Sequence, residues 1–178
     1  LFMSMKRLYR KFDLIILTSL VLLPLLSLTL FPIYIYLNGV VWQEPVMLMI
    51  GWFLAGTGIT VGYHRLFSHR TFRAYTIIEW IYMLCGSMAL QNTILNWCSD
   101  HRRHHKLLDT DKDPYSIKKG FLHAHIGWVV KKGENKIEGV SDLHKKSAVK
   151  FQNKFYWPLS LFLSFVLPLL IGILYNRP

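Results

Sequence analysis

Residues 100–106 read DHRRHHK, which places His101, His104 and His105 within five positions of one another. Neutral imidazole is a good ligand for iron, zinc and copper. The same string also reads as a solvated basic loop or a phosphate-binding patch, and the rest of the sequence has to separate these meanings. A second group, HRLFSH, sets His64 and His69 five residues apart. On an α-helix turning about 100° per residue, His101, His104 and His105 fall within one arc of about 100°, so all three rings reach one volume. His64 and His69 are about 140° apart on a straight helix, from which they do not easily chelate one ion but could serve two neighbouring ions. All eight histidines lie between residues 64 and 144. His123 and His125, in FLHAHIGW, are expected to pack or hydrogen-bond around the ligands, and His144, in DLHKKSAVK, to be an exposed loop residue. The two cysteines, Cys85 and Cys98, form no CxxC and no paired framework. A histidine-rich, cysteine-free donor set points to two redox metals rather than a structural zinc.

The elements that must hold these rings are greasy. Of the 178 residues 52% are hydrophobic and 15% aromatic. No charged residue occurs from Leu14 to Gln43, and Pro24 and Pro32 are expected to bend that span. Val46–Tyr63 and Phe155–Tyr175 are further charge-free runs of 18 and 21 residues. About 20 apolar residues suffice to cross a bilayer, so the chain is an all-α integral membrane protein. The first run is too long for a secretory signal core, despite Lys6, Arg7, Arg10 and Lys11 before it.

Lys plus Arg number 21 against 10 Asp plus Glu, for a formal charge of +11. In a soluble protein that balance would suggest nucleic acid; here it reads as topology. Sixteen of the basic residues lie in 64–154, four precede the first run, one follows the last, and none lies between the first two. The N-terminus and residues 64–154 are therefore expected on the cytoplasmic side. Trp80–Trp97 is also uncharged, but Ser87, Gln91, Asn92, Thr93 and Asn96 crowd its second half. A single crossing there would put the two histidine groups on opposite sides of the membrane. The run is read as a helix buried against the bundle or lying at the interface, its polar half facing a cavity.

The strings GYHRLFSHRTF, QNTILNWCSDHRRHHK, DTDKDPYSIKKGF and AHIGW together resemble the membrane fatty acyl desaturases of the stearoyl-CoA (Δ9) type, over about residues 40–135. The resemblance implies one membrane domain over residues 1–178, with spans at about 14–37, 46–63 and 155–175 out of four, and a cytosolic helical cap at about 64–154. It implies a di-metal site of two iron ions, cycling between Fe2+ and Fe3+, with His64, His69, His101, His104 and His105 as ligands. In the family the positions of Gln91 and Trp97 lie near the kink of a bent acyl tunnel. Those of Asn92 and Asp100 contact the CoA head group, and that of Lys132 lies near its phosphates, where an ammonium is a fitting point charge. Asp100 is alternatively a hydrogen-bond partner of an imidazole.

The reaction so implied is O2-dependent introduction of a cis double bond into a saturated acyl-CoA. Electrons would come from a ferredoxin or a small cytochrome with its reductase, and no nucleic acid is involved. No side chain supplies such an oxidant, so the chemistry belongs to the cofactor and no general base is assigned. Two departures from the family pattern stand out. Position 99 is Ser where CoA-specific relatives often carry Arg, which leaves acyl carrier protein or a glycerolipid open as the acyl carrier. The family's third histidine box follows a fourth span, whereas this sequence stops at YNRP, so the chain is expected to be a fragment of a longer protein. The alternatives are a related diiron hydroxylase and an inactive metal-binding remnant. A metal transporter would place histidines or carboxylates inside the spans, and these have none. The short N-terminal tail favours a bacterial cell membrane over the endoplasmic reticulum.

Overall fold

The computed structural model describes residues 13–131 and 136–177, so the basic N-terminal residues and Lys132 lie outside the described residues. Among the described residues every regular element is helical, and the chain falls into two compact units. Residues 13–42 together with 107–131 and 136 form one; 43–106 with 137–177 form the other.

In the first unit, helix α1 (Leu14–Asn38) runs without a break through Pro24 and Pro32. Asp13 opens it, its carboxylate accepting from the Ile16 amide at 3.2 Å. The Asp13 amide bonds the Val130 carbonyl at 2.8 Å and so ties α1 to the short helix α5 (Trp128–Val130). The loop before α5 is organised by Asp113, fully buried, which accepts from the Asp109 and Tyr115 amides at 3.1 Å each. The Lys119 ammonium closes the same loop on the Asp111 and Asp113 carbonyls.

The second unit holds the core. Helix α2 (Gln43–Thr57) continues directly into a π-helix over Gly58–His69. Helices α3 (Thr76–Ser87) and α4 (Ile94–Lys106) follow. Then α6 (Ser147–Leu161), a π-turn at Phe162–Val166 and α7 (Leu167–Leu174) form one continuous rod. Tyr63, Leu66 and Phe67 of the π-helix interlock with Met83, Ile94, Leu95 and Cys98, and with Val140, Leu143, Ala148 and Val149. Within this unit the core sits at the His69 end of one rod and the Ser147 end of the other. Further along, α2 has no buried residue and turns Trp52 and Leu48 outward, as a lipid-facing helix does.

Among the described residues, three helices are long and apolar enough to cross a membrane: Ile16–Asn38, Gln43–His69 and Ser147–Leu174. Two of them extend beyond the runs expected from hydropathy. The second carries on to His69, so the first histidine pair belongs to its last turns. The third begins at Ser147, eight residues early, and Phe155 leaves helical geometry (φ −117°, ψ 24°) three residues before Pro158. Proline lacks the amide and crowds the preceding turn, which accounts for a kink there. Arg177 reaches Glu44 at 3.2 Å, so the last span ends beside the start of the second and the two run antiparallel.

The uncharged run Trp80–Trp97 is not one helix. It breaks at residues 88–93, where Leu90 and Asn92 take left-handed conformations (φ 55° and 75°). Asn tolerates that region and Leu does so at a cost, so the break is held by its surroundings. The Asn92 carboxamide oxygen accepts from the Thr93 amide (2.8 Å), and Thr93 Oγ1 caps α4 by accepting from the Asn96 amide (3.2 Å). Two side chains of α6 take up freed amides: Tyr156 Oη accepts from Asn92 N at 2.7 Å and Gln152 Oε1 from Ile94 N at 2.8 Å. Buried Gln152 also donates to Ser87 Oγ (2.7 Å) and to the Tyr63 hydroxyl. Ser87, Asn92, Thr93 and Asn96 therefore serve the turn, the helix cap and the buried network around Gln152, and the expected single helix is corrected to two helices joined by a turn.

Helices α3 and the π-helix meet backbone to backbone at glycines. A Cβ on Gly58 would lie 2.2 Å from the Gly86 nitrogen, and one on Gly86 would lie 2.1 Å from the Tyr63 ring. Gly56, two residues earlier, has open space. Gly58→Ala is expected to destabilise the protein by about 1–3 kcal/mol or more through overpacking against rigid backbone. Gly56→Ala should be neutral or slightly stabilising. Thermal unfolding in detergent, followed by circular dichroism, checks the pair.

Candidate metal centre

The π-helix and α4 bring two pairs of imidazoles face to face. A π-helix closes its hydrogen bonds five residues apart, which carries residues i and i+5 toward a common face. His64 and His69 have that spacing, and their Nε2 atoms lie 3.1 Å apart. The π winding thus brings together two rings that a straight α-helix would hold apart. The helix ends immediately afterwards at Arg70, in the left-handed region (φ 54°). On α4, His101 and His105 stand one turn apart with Nε2 atoms 3.1 Å from each other. His69 Nε2 bridges the pairs, 2.9 Å from His101 Nε2.

His64, His69, His101 and His105 each offer a ring nitrogen, and these four atoms lie within 4.8 Å of one another. Adjacent ligand atoms at about 2.0–2.1 Å from an ion are roughly 3 Å apart, so the observed spacings fit a nitrogen-bound divalent metal. No carboxylate or thiolate belongs to this group. Burial, with the neighbouring imidazoles, pushes the His101 pKa down to about 3, which leaves the ring neutral and able to ligate at physiological pH. His104 stands beside the four, its ring 5.4 Å from that of His105 and 6.4 Å from that of His101.

The indole of Trp97 lies nearly flat on His101 (4.8 Å, 25°) and meets His64 edge-on at 6.2 Å. Its Nε1–H donates to Gln91 Oε1 at 3.3 Å, so the two residues expected near a tunnel kink do come together, against the imidazoles. Asn92 forms the break itself. Asp100 pairs with Arg103 at 3.6 Å, and burial pushes its carboxyl pKa upward against that pairing. Ser99, buried, accepts from the Glu138 amide at 2.8 Å, so the hydroxyl that departs from the family's Arg has a structural partner. In the other unit, His123 bonds the Pro114 carbonyl (3.1 Å) and approaches Lys131 (3.4 Å), while His125 stacks on Phe121. His144 is exposed, as expected.

Sequence reading missed Arg102, lying inside HRRHH but pointing away from the rings' shared volume. It bonds the Phe67, Ser68 and Gly139 carbonyls and both oxygens of Asp142. Its only sequence signal is its place among the histidines. The guanidinium in turn holds the Asp142 carboxyl below its usual range.

A membrane-spanning helical chain with four convergent imidazoles at the end of one span has the donor set of a metal-binding membrane protein. No family model matches the chain. Curated proteins do. A Delta(9)-fatty-acid desaturase of Caenorhabditis elegans is 40% identical over 139 residues, covering 74% of this chain and 41% of the relative. An acyl-CoA Delta(11) desaturase of Spodoptera littoralis is 35% identical over 151 residues, covering 81% and 44%. A stearoyl-CoA desaturase of Capra hircus is 37% identical over 124 residues, covering 66% and 34%. On these matches the chain belongs to the acyl-CoA desaturase family, and it spans less than half the length of these relatives.

Two outcomes follow from this geometry. His101→Ala and His69→Ala should abolish high-affinity Co(II) binding, read from its visible absorption bands, whereas His144→Ala should leave it intact. The lowered Asp142 pKa stabilises the fold above the ordinary carboxylate value of 3.8, and this contribution is lost as pH falls through the lower folded value. Over that acidic window the melting temperature of the wild type should fall more steeply than that of Asp142→Asn.

Proposed function

We propose that the chain is the histidine-bearing part of an O2-dependent acyl desaturase that introduces a cis double bond, at Δ9, into a saturated acyl-CoA. The observation that carries the reading is the set of four ring nitrogens within 4.8 Å, walled by Trp97, in a chain whose matched relatives are named desaturases. His64, His69, His101 and His105, with His104 alongside, would hold iron in a di-metal site. Iron held there supplies, with O2 and two electrons from a ferredoxin or small cytochrome, an oxidising power that no side chain has. The balance is simple: one hydrogen leaves each of two adjacent methylenes, and with two electrons and two protons O2 becomes two waters.

The chain's own task is positioning. Trp97 fixes the His101 ring by stacking and presents its indole beside the donors; Gln91 fixes Trp97 through its Nε1–H. The break at residues 88–93 supplies a bent wall, and Gln91 and Trp97 are the residues we assign to the acyl chain. Asn92, Asp100 and Lys132 are assigned to the head group, Asp100 because it directly precedes His101. The weight of Lys and Arg in residues 64–154 supports a cytoplasmic site, reachable by a soluble or peripheral electron donor.

The test is expression of the full-length protein, from its complete reading frame, in a host without its own desaturase. Gas chromatography of the cellular fatty acids should reveal a new cis-monounsaturated chain, absent with His101→Ala. A hydroxylated product instead would reassign the chain to the related hydroxylases. A metal-loaded protein giving no product under O2 and reductant would sink the enzymatic reading.

A further inference from the structure

The guanidinium of Arg102 uses all its hydrogen-bonding capacity to fix where the two imidazole pairs meet. An arginine side chain has five N–H donors in a planar fork. Here Nη2 reaches the Phe67 carbonyl at 2.8 Å and Nε the Ser68 carbonyl at 3.0 Å. Nη1 reaches the Gly139 carbonyl at 2.6 Å, and the two terminal nitrogens take Asp142 oxygens at 2.7 and 3.1 Å. Phe67 and Ser68 are the last residues before His69, where the π-helix is about to end and its carbonyls lack helical donors. Arg102 itself follows His101 on α4. One side chain therefore bonds the backbone that carries His69 from the helix that carries His101 and His105. Asp142 and the Gly139 carbonyl (Gly139 at φ 71°) brace it from behind.

We propose that Arg102 is a positioning residue for the metal centre, setting the registry of the π-helix end against α4 so that His69 Nε2 and His101 Nε2 meet at ligand spacing. The proposal rests on the reading of the histidine cluster as a metal site. Lysine cannot replace it: an ammonium has three donors and no planar fork, so it satisfies at most part of this set. Loss of hydrogen-bonding partners that orient ligands typically weakens metal binding by roughly 10–100-fold.

The experiment titrates Co(II) into the purified full-length wild type, Arg102→Lys, Asp142→Asn and His101→Ala in detergent. Visible absorption bands and affinity are read alongside the melting temperature of the metal-free protein. Expected are a roughly 10–100-fold loss of affinity with shifted bands in Arg102→Lys, and a smaller loss in Asp142→Asn, which keeps the carbonyl bonds. A merely structural role would lower the melting temperature yet leave bands and affinity of the folded protein unchanged, and that result overturns the proposal. If Arg102→Lys does not fold, Asp142→Asn decides: weakened binding supports the proposal and wild-type binding overturns it. Wild type that binds no more Co(II) than His101→Ala would bring down the metal reading itself, and this proposal with it.

Discussion

Everything at the histidine cluster depends on bringing four imidazole nitrogens to within a few ångströms of each other from two different helices. Rings do not gather this way unaided, since each loses hydration and each would repel its neighbours if protonated. The burial that pushes His101 down to about pKa 3 is the same burial that makes the ring available as a ligand. The architecture supplies the constraint from outside. Gly58 and Gly86 let the π-helix and α3 touch at backbone distance, and Tyr63 fills the space that a side chain on Gly86 would take. Arg102 and Asp142 then pin the π-helix end to α4 and to the 139–142 turn.

A second constraint comes from placing polar backbone at the end of membrane spans. Interrupting a helix frees amides and carbonyls, and away from water each needs a partner. The break after α3 meets this with Gln152 and Tyr156 from α6, while Asn92 and Thr93 cap α4 locally. Gln152, fully buried, joins Ile94, Ser87 and Tyr63 in one network. The break points α4 back along the π-helix, which is how His101 and His105 come to face His64 and His69.

Much of this was legible in residue order. Charge-free runs marked the spans, and helical spacing put His101, His104 and His105 on one arc. Motif spacing pointed to the desaturases before any relative was compared. What stayed hidden was non-local or depended on winding. Nothing in HRLFSH announces a π-helix, so His64 and His69 looked poorly placed to share one ion. An uninterrupted apolar run at 80–97 conceals a break whose support comes from Gln152 and Tyr156, some sixty residues later in the chain. Arg102 read as one more basic residue because its partners, Gly139 and Asp142, lie outside the motif. Helix ends also shifted by several residues, since hydropathy marks where a helix meets lipid and not where it starts.

The π-helical winding over Gly58–His69 has a consequence for how this stretch can change over generations. Substitutions at its outward positions leave the registry untouched, but a change of length does not. Inserting one residue between His64 and His69 would swing one imidazole away from the other by roughly a quarter-turn so long as the π winding is kept, whereas deleting one would leave i, i+4 spacing, which faces one way only if the stretch rewinds as an ordinary α-helix. No neighbouring loop could absorb the error, because both histidines lie on the same rod. The stretch is thus tolerant of spelling, and any change in its length has to be matched by a change in its winding.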